Sequence, residues 1–125
     1  MPYEITVRRT FSAAHAIRLP DGSLEPNHGH NWPVEVTVGR DELDDIETVM
    51  DFHDLEAWLD ELLEKADNAD LNTIEPFVHT KVNPTAERVA WWIGEHIAEK
   101  LDPPLRLVSV TIGEAPGCTA TWRPA

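Results

Sequence analysis

The chain has 125 residues, 10 Lys plus Arg against 23 Asp plus Glu, a formal charge of −13 and a pI near 4.6. That length fits one domain spanning residues 1–125, and 42% apolar residues supply a core and exclude intrinsic disorder. Without a basic stripe or a polybasic patch, neither nucleic acid nor a membrane surface is expected as a partner. The apolar runs are too short to span a bilayer, MPYEITVRRTF lacks a signal-peptide block, and the single Cys118 has no internal disulfide partner. A cytoplasmic protein is therefore expected.

Residues 3–10, YEITVRRT, alternate as a strand. Residues 16–27 carry Pro, Gly and no period, so they read as a loop. A second strand covers 32–38, with Val34, Val36 and Val38 on one face. A helix follows from an Asp51 N-cap, with Phe52, Leu55, Leu59, Leu62, Leu63 and Ala66 on its buried face. The segment 67–82 is irregular. The spacing predicts a second helix from Asn83-Pro84, with Pro in the first helical position, a buried stripe from Ala86 to Leu101, and Pro103-Pro104 as its stop. Of the adjacent Trp91 and Trp92, at most one faces the core. Residues 106–112 and 118–122 close the chain as two strands, with Cys118 read as a buried inert thiol. The order is ββααββ, an α+β chain with an antiparallel four-stranded sheet covered on one face by two helices. Exposed sheet edges favour an oligomer.

Three of the six His are placed for chemistry. His28 and His30 flank Gly29 in HGH, so in extended chain both point to one side, and Gly29 permits close backbone approach. His15 ends the first strand, and a hairpin would bring it beside that pair. Three imidazoles suit Zn²⁺ with a fourth position left for water or substrate; hydrogen bonding within a loop is the other reading of the same spacing. His53 and His96 read as surface or boundary residues, and His79, in an irregular loop, reads either as structural or as a reserve acid or base. Among the many carboxylates, Glu25 stands three residues before HGH, Asp67 follows the first helix, and Glu114 lies in the final turn, where it could hold a guanidine-like ring edge.

Taken together, FSAAH, HGH, MDFHDL, ADNADLN, NPTAERVA and GEAPG, in order along nearly the whole chain, resemble the 6-pyruvoyltetrahydropterin synthase and 6-carboxytetrahydropterin synthase (queuosine-pathway) family. The resemblance implies a T-fold (tunnelling fold), with subunit sheets joining around an axis into a barrel and two stacked trimers forming a hexamer. It implies Zn²⁺ on His15, His28 and His30, a pterin ring anchored by Glu114, and Asp67 in a catalytic relay. Glu87, in NPTAE, matches a motif residue without a clear task. Two positions depart from the family pattern. Leu24 stands four residues before HGH, where the synthases carry a cysteine base, and Asn68 stands where the relay histidine follows its aspartate; Asn cannot carry a proton in this pH range.

The run Glu25-Pro26-Asn27-His28-Gly29-His30 resembles a subclass in which a glutamate replaces that cysteine and the side chain of dihydroneopterin triphosphate is cleaved to a 6-hydroxymethylpterin. The expected function is a zinc-dependent lyase on a dihydroneopterin-like pterin, as the triphosphate or a less phosphorylated form, with Glu25 as base. The alternatives are 6-pyruvoyl or 6-carboxy synthase chemistry with altered residues, a non-catalytic homologue that binds zinc and pterin, and a T-fold enzyme acting on another heterocycle. The acidity favours a less phosphorylated substrate, since few basic residues lie near the motifs and Arg18 and Lys81 are the obvious candidates to meet a phosphate.

Overall fold

The computed structural model describes residues 2–125. Strand β1 is Tyr3–His15 and β2 is His28–Arg40. Both exceed their predicted lengths because FSAAH and HGH are themselves strand. The two pair antiparallel throughout, from Tyr3 opposite Arg40 to His15 opposite His28. The irregular segment contains a short strand the sequence did not announce, β3 (Ala69–Asp70), parallel to β1 at Ala13 and Ala14. A 3₁₀ turn, Leu71–Thr73, follows it. Strands β4 (Arg106–Ala115) and β5 (Cys118–Trp122) complete a sheet of order β3-β1-β2-β4-β5. The four-stranded expectation is thus corrected to five strands.

The core lies on one face of this sheet. Val7, Phe11 and Ala13 of β1 meet Trp32, Val34, Val36 and Val38 of β2 and Val110 and Ile112 of β4, all buried. Helix α1 (Phe52–Leu63) packs on β1, and α2 (Ala86–Lys100) packs on β4 and β5. Asp51 caps α1 by accepting the His53 N–H at 2.8 Å. Leu55, Leu59, Leu62, Leu63 and Ala66 are buried, whereas Phe52 is exposed. It sits in the first helical turn, beside a surface hollow shared with Tyr3 and Ile46, rather than over the sheet.

The predicted start of α2 is also corrected. Thr85, not a residue before Pro84, is the N-cap, because its hydroxyl accepts the Arg88 N–H at 3.1 Å. Pro84 therefore stands outside the helix, and its carbonyl is not committed to a helical hydrogen bond. Trp92 is buried while Trp91 is half-buried beneath the Arg88 guanidinium, which lies 4.6 Å from its ring centroid. A Cβ on Gly94 would lie 2.3 Å from Trp122 Cε3, so glycine is what lets β5 close on the helix. Cys118 is exposed, contrary to the buried reading, because β5 is the sheet edge. No helix among the described residues is long and apolar enough to cross a membrane.

Candidate metal centre and substrate site

Side chains alternate along a strand, so the inward row of each strand can be followed past the apolar core. On β1 the row Val7, Phe11, Ala13 continues to His15. On β2 the row Val38, Val36, Val34, Trp32 continues to His30 and His28. On β4 the row Val110, Ile112 continues to Glu114. Four polar side chains thus extend the same inward face where the apolar residues stop. Their ligand atoms all lie within 4.8 Å of one another. His15 is fully enclosed and is the one buried polar or charged side chain among the described residues.

Each ring is oriented by its other nitrogen. His15 Nδ1 donates to the Pro84 carbonyl at 2.7 Å, His28 Nδ1 to the Pro26 carbonyl at 3.1 Å and His30 Nδ1 to the Asn31 carbonyl at 3.0 Å. A carbonyl oxygen only accepts, so in each neutral ring the proton sits on Nδ1 and Nε2 keeps a bare lone pair. His15 Nε2 and His28 Nε2 nevertheless face each other at 3.2 Å, and the buried His30 Nε2 has no hydrogen-bond partner. Converging lone pairs repel unless a cation lies among them. This donor set, three imidazoles and a carboxylate, fits Zn²⁺, and the loop-histidine reading leaves the orphaned Nε2 of His30 unexplained.

The support around these rings was not evident from sequence spacing. Trp32 stacks on His30 with centroids 4.2 Å apart, meets His15 edge-on at 4.7 Å, and donates Nε1–H to the Ala13 carbonyl at 3.1 Å. The three residues after His15 are each clamped by a side chain. Asn72 takes the Ala16 N–H and donates to the Ala16 carbonyl; Asn83 does the same for Arg18. Between them, Glu25 Oε1 accepts the Ile17 N–H at 3.0 Å while the Glu25 N–H donates to the Ile17 carbonyl. Both asparagines lie in the ADNADLN and NPTAE motifs, so the signal was present as residue type even though the contact was not. Gly29 is not demanded by packing, since an added Cβ would meet the Ala13 carbonyl at an ordinary 3.8 Å.

The other predicted residues are distributed as follows. Glu25 is half-buried at the end of β1 and is not among the four converging groups. Asp67 Oδ1 accepts the Ser12 N–H at 2.9 Å, and the next residue, Asn68, donates its N–H to the Ser12 carbonyl at φ +60. Together they bind the turn after α1 to the edge of β1. A groove of about 440 Å³ opens beside His30, with Gly29, Asn31 and Asn68 in its walls. The Arg18 guanidinium is engaged by the carbonyls of Phe77, His79 and Val82, whereas Lys81 is exposed. His53 is exposed, His79 pairs with Glu75 at 2.7 Å, and His96 Nδ1 bonds the Trp92 carbonyl. A second cleft, between α1 and α2, is lined by Trp58, Lys65 and His96 and contains none of the predicted site residues.

The family model described as 6-pyruvoyl tetrahydropterin synthase matches residues 4–125. The dihydroneopterin monophosphate aldolase of Pyrococcus furiosus is 33% identical over 124 residues, covering 98% of this chain and 100% of that relative. A 6-carboxy-5,6,7,8-tetrahydropterin synthase of Rickettsia bellii is 29% identical, covering 90% of this chain and 94% of its own length. The solved 6-pyruvoyl tetrahydropterin synthase of Caenorhabditis elegans superposes with a TM-score of 0.79 at 27% identity, covering 98% and 97% of the two chains. The fold is the T-fold, and the chain belongs to the 6-pyruvoyl tetrahydropterin synthase family.

Proposed function

We propose that the protein is a zinc-dependent enzyme that cleaves the side chain of a dihydroneopterin-like pterin to a 6-hydroxymethylpterin. The observation that carries this reading is the acid–base inventory around the three histidines. Leu24 occupies the place of the synthase cysteine, and the titratable group beside it is Glu25, held by the Ile17 N–H two residues beyond His15. The likeness to an aldolase over the full length of both chains supports it further.

A bound Zn²⁺ would lower the pKa of the substrate's side-chain hydroxyls. His15, His28 and His30 would hold that ion, with their carbonyl partners fixing the Nε2 lone pairs toward it. Glu25 takes the proton of the second side-chain hydroxyl. The bond between the first and second side-chain carbons then breaks, its electron pair passes into the ring imine, and the second carbon leaves as an aldehyde. A proton returned to the first carbon gives the hydroxymethyl group. Side-chain isomerisation needs a stronger relay than the Leu24 and Asn68 positions provide. Asp67 is assigned to hold the turn that presents Asn68 to the groove, in keeping with its bond to Ser12. With Arg18 engaged by carbonyls, few cations are left free beside the motifs, which supports a less phosphorylated substrate. The T-fold barrel and a hexamer of two stacked trimers are proposed as the assembly, and the cytoplasm as its location.

The test is incubation of zinc-loaded protein with dihydroneopterin and its mono- and triphosphates, with products separated and identified. A 6-hydroxymethylpterin is expected, formed fastest from a form below the triphosphate. A 6-pyruvoyl or 6-carboxy product would replace the reading with synthase chemistry. Tight pterin binding without any product would replace it with the non-catalytic homologue, the alternative that Leu24 and Asn68 favour.

A further inference from the structure

We propose that Glu114 is the fourth protein ligand of the metal in the substrate-free protein, so that the resting centre is closed by His15, His28, His30 and Glu114. This rests on the metal reading above. Ligand atoms at the vertices of a tetrahedron around zinc, each about 2.0–2.1 Å from it, are roughly 3.3–3.4 Å apart. His15 Nε2 lies 3.2 Å from His28 Nε2 and 3.4 Å from Glu114 Oε1. The carboxylate therefore stands from His15 as the second imidazole does, and it is 4.0 Å from His30 Nε2.

Charge gives a second argument. The Glu114 side chain is 41% exposed, so water is open to it. It turns instead toward nitrogens that present lone pairs, and its ion-pair partners among the described residues are those two histidines alone. An acceptor facing acceptors at these distances is accounted for by a shared cation. A closed four-ligand centre has no open position, so substrate hydroxyls would enter by displacing the carboxylate. Its release would leave Glu114 free for the ring edge that the family resemblance assigns to it, and the two roles would alternate.

The experiment loads the wild-type protein, Glu114→Gln and Glu114→Asp with Co²⁺ alone, with no pterin present. The visible ligand-field spectrum and the rate of metal loss to a chelator are recorded, with far-UV circular dichroism to confirm folding. The proposal expects both variants to shift the bands and to lose metal about 10–100-fold faster than wild type, Asp because its shorter arm cannot reach. Superimposable spectra and equal loss rates in all three proteins would overturn it while leaving the three-histidine site standing. Failure of the wild type to bind Co²⁺ would overturn both this assignment and the metal reading beneath it.

Discussion

His15 is tied to Pro84: its Nδ1–H donates to the Pro84 carbonyl at 2.7 Å, joining the end of β1 to the residue just before the cap of α2. The bond depends on Thr85 being the N-cap. Had Pro84 been the first helical residue, its carbonyl would have been committed to the helix. The metal centre, the sheet and the second helix are thereby coupled, and removing the ion should be felt in the fold. Chelation is expected to lower the melting temperature, reversed by Zn²⁺; at a free metal concentration of 100 times Kd the linkage amounts to about 2.7 kcal/mol. His15→Ala is expected to weaken metal binding by at least about 100-fold, since loss of a ligand exceeds loss of a supporting bond, and to abolish the chelator effect. Differential scanning calorimetry with metal analysis checks both.

Trp32 supports two of the three rings of the candidate metal site. Trp32→Phe keeps an aromatic face for His30 but removes the indole bond to the Ala13 carbonyl and leaves space beside His15. A loss of about 1–3 kcal/mol in urea unfolding is expected, together with metal affinity about 10-fold weaker. Metal affinity equal to wild type would show that the stack does not position the rings.

Glu25 has a structural bond and a proposed chemical part, and these are separable. Glu25→Gln retains a side-chain oxygen for the Ile17 N–H, so metal content and melting temperature should stay close to wild type. Turnover of a confirmed pterin substrate should fall by about 10²–10⁴-fold, the range for loss of a general base. Unchanged turnover would remove Glu25 from the chemistry and leave it as a clamp.

The loop after β2 is predicted to be acid-sensitive. Asp44 is held below the ordinary aspartate range first by the Thr48 hydroxyl and then by the Thr48 N–H, against partial opposition from desolvation and with lesser help from the Ile46 N–H and the charge of Arg40. The folded state thus binds this proton less readily than the unfolded one. Its contribution is complete above the ordinary aspartate range and is lost as pH falls through the lowered value. Amide protection at Thr48, whose N–H donates to Asp44 Oδ1 at 2.9 Å, should decline in that acid window in wild type. Asp44→Asn should flatten the profile.

The two helices and the cores of four strands were legible because their periods are written in residues that the core buries: Leu55, Leu59 and Leu62 at helical spacing, and Val34, Val36 and Val38 at strand spacing. The strand ends were not, since His15, His28 and His30 do not register as apolar members of an alternation whose inward row they in fact continue. Glu114 was legible by the same parity, two residues beyond Ile112, but its place beside the histidines depends on β4 lying next to β2, which is a fact of topology. The short β3 was invisible because it is specified by the Ser12 and Asn68 backbone and by the Asp67 carboxylate rather than by a pattern. Phe52 and Cys118 misled for a related reason. Apolar character indicates burial only where a neighbouring layer exists, and these two lie at a helix start and a sheet edge.

A side-chain carbon–carbon bond of the pterin is proposed to break at the metal-loaded site. The most direct measurement is the yield of two-carbon aldehyde per dihydroneopterin consumed, before chelation, after it, and after Zn²⁺ is restored. One aldehyde for each pterin consumed, lost on chelation and recovered with zinc, is the predicted result. Consumption of the pterin with all side-chain carbons retained in the product would contradict it.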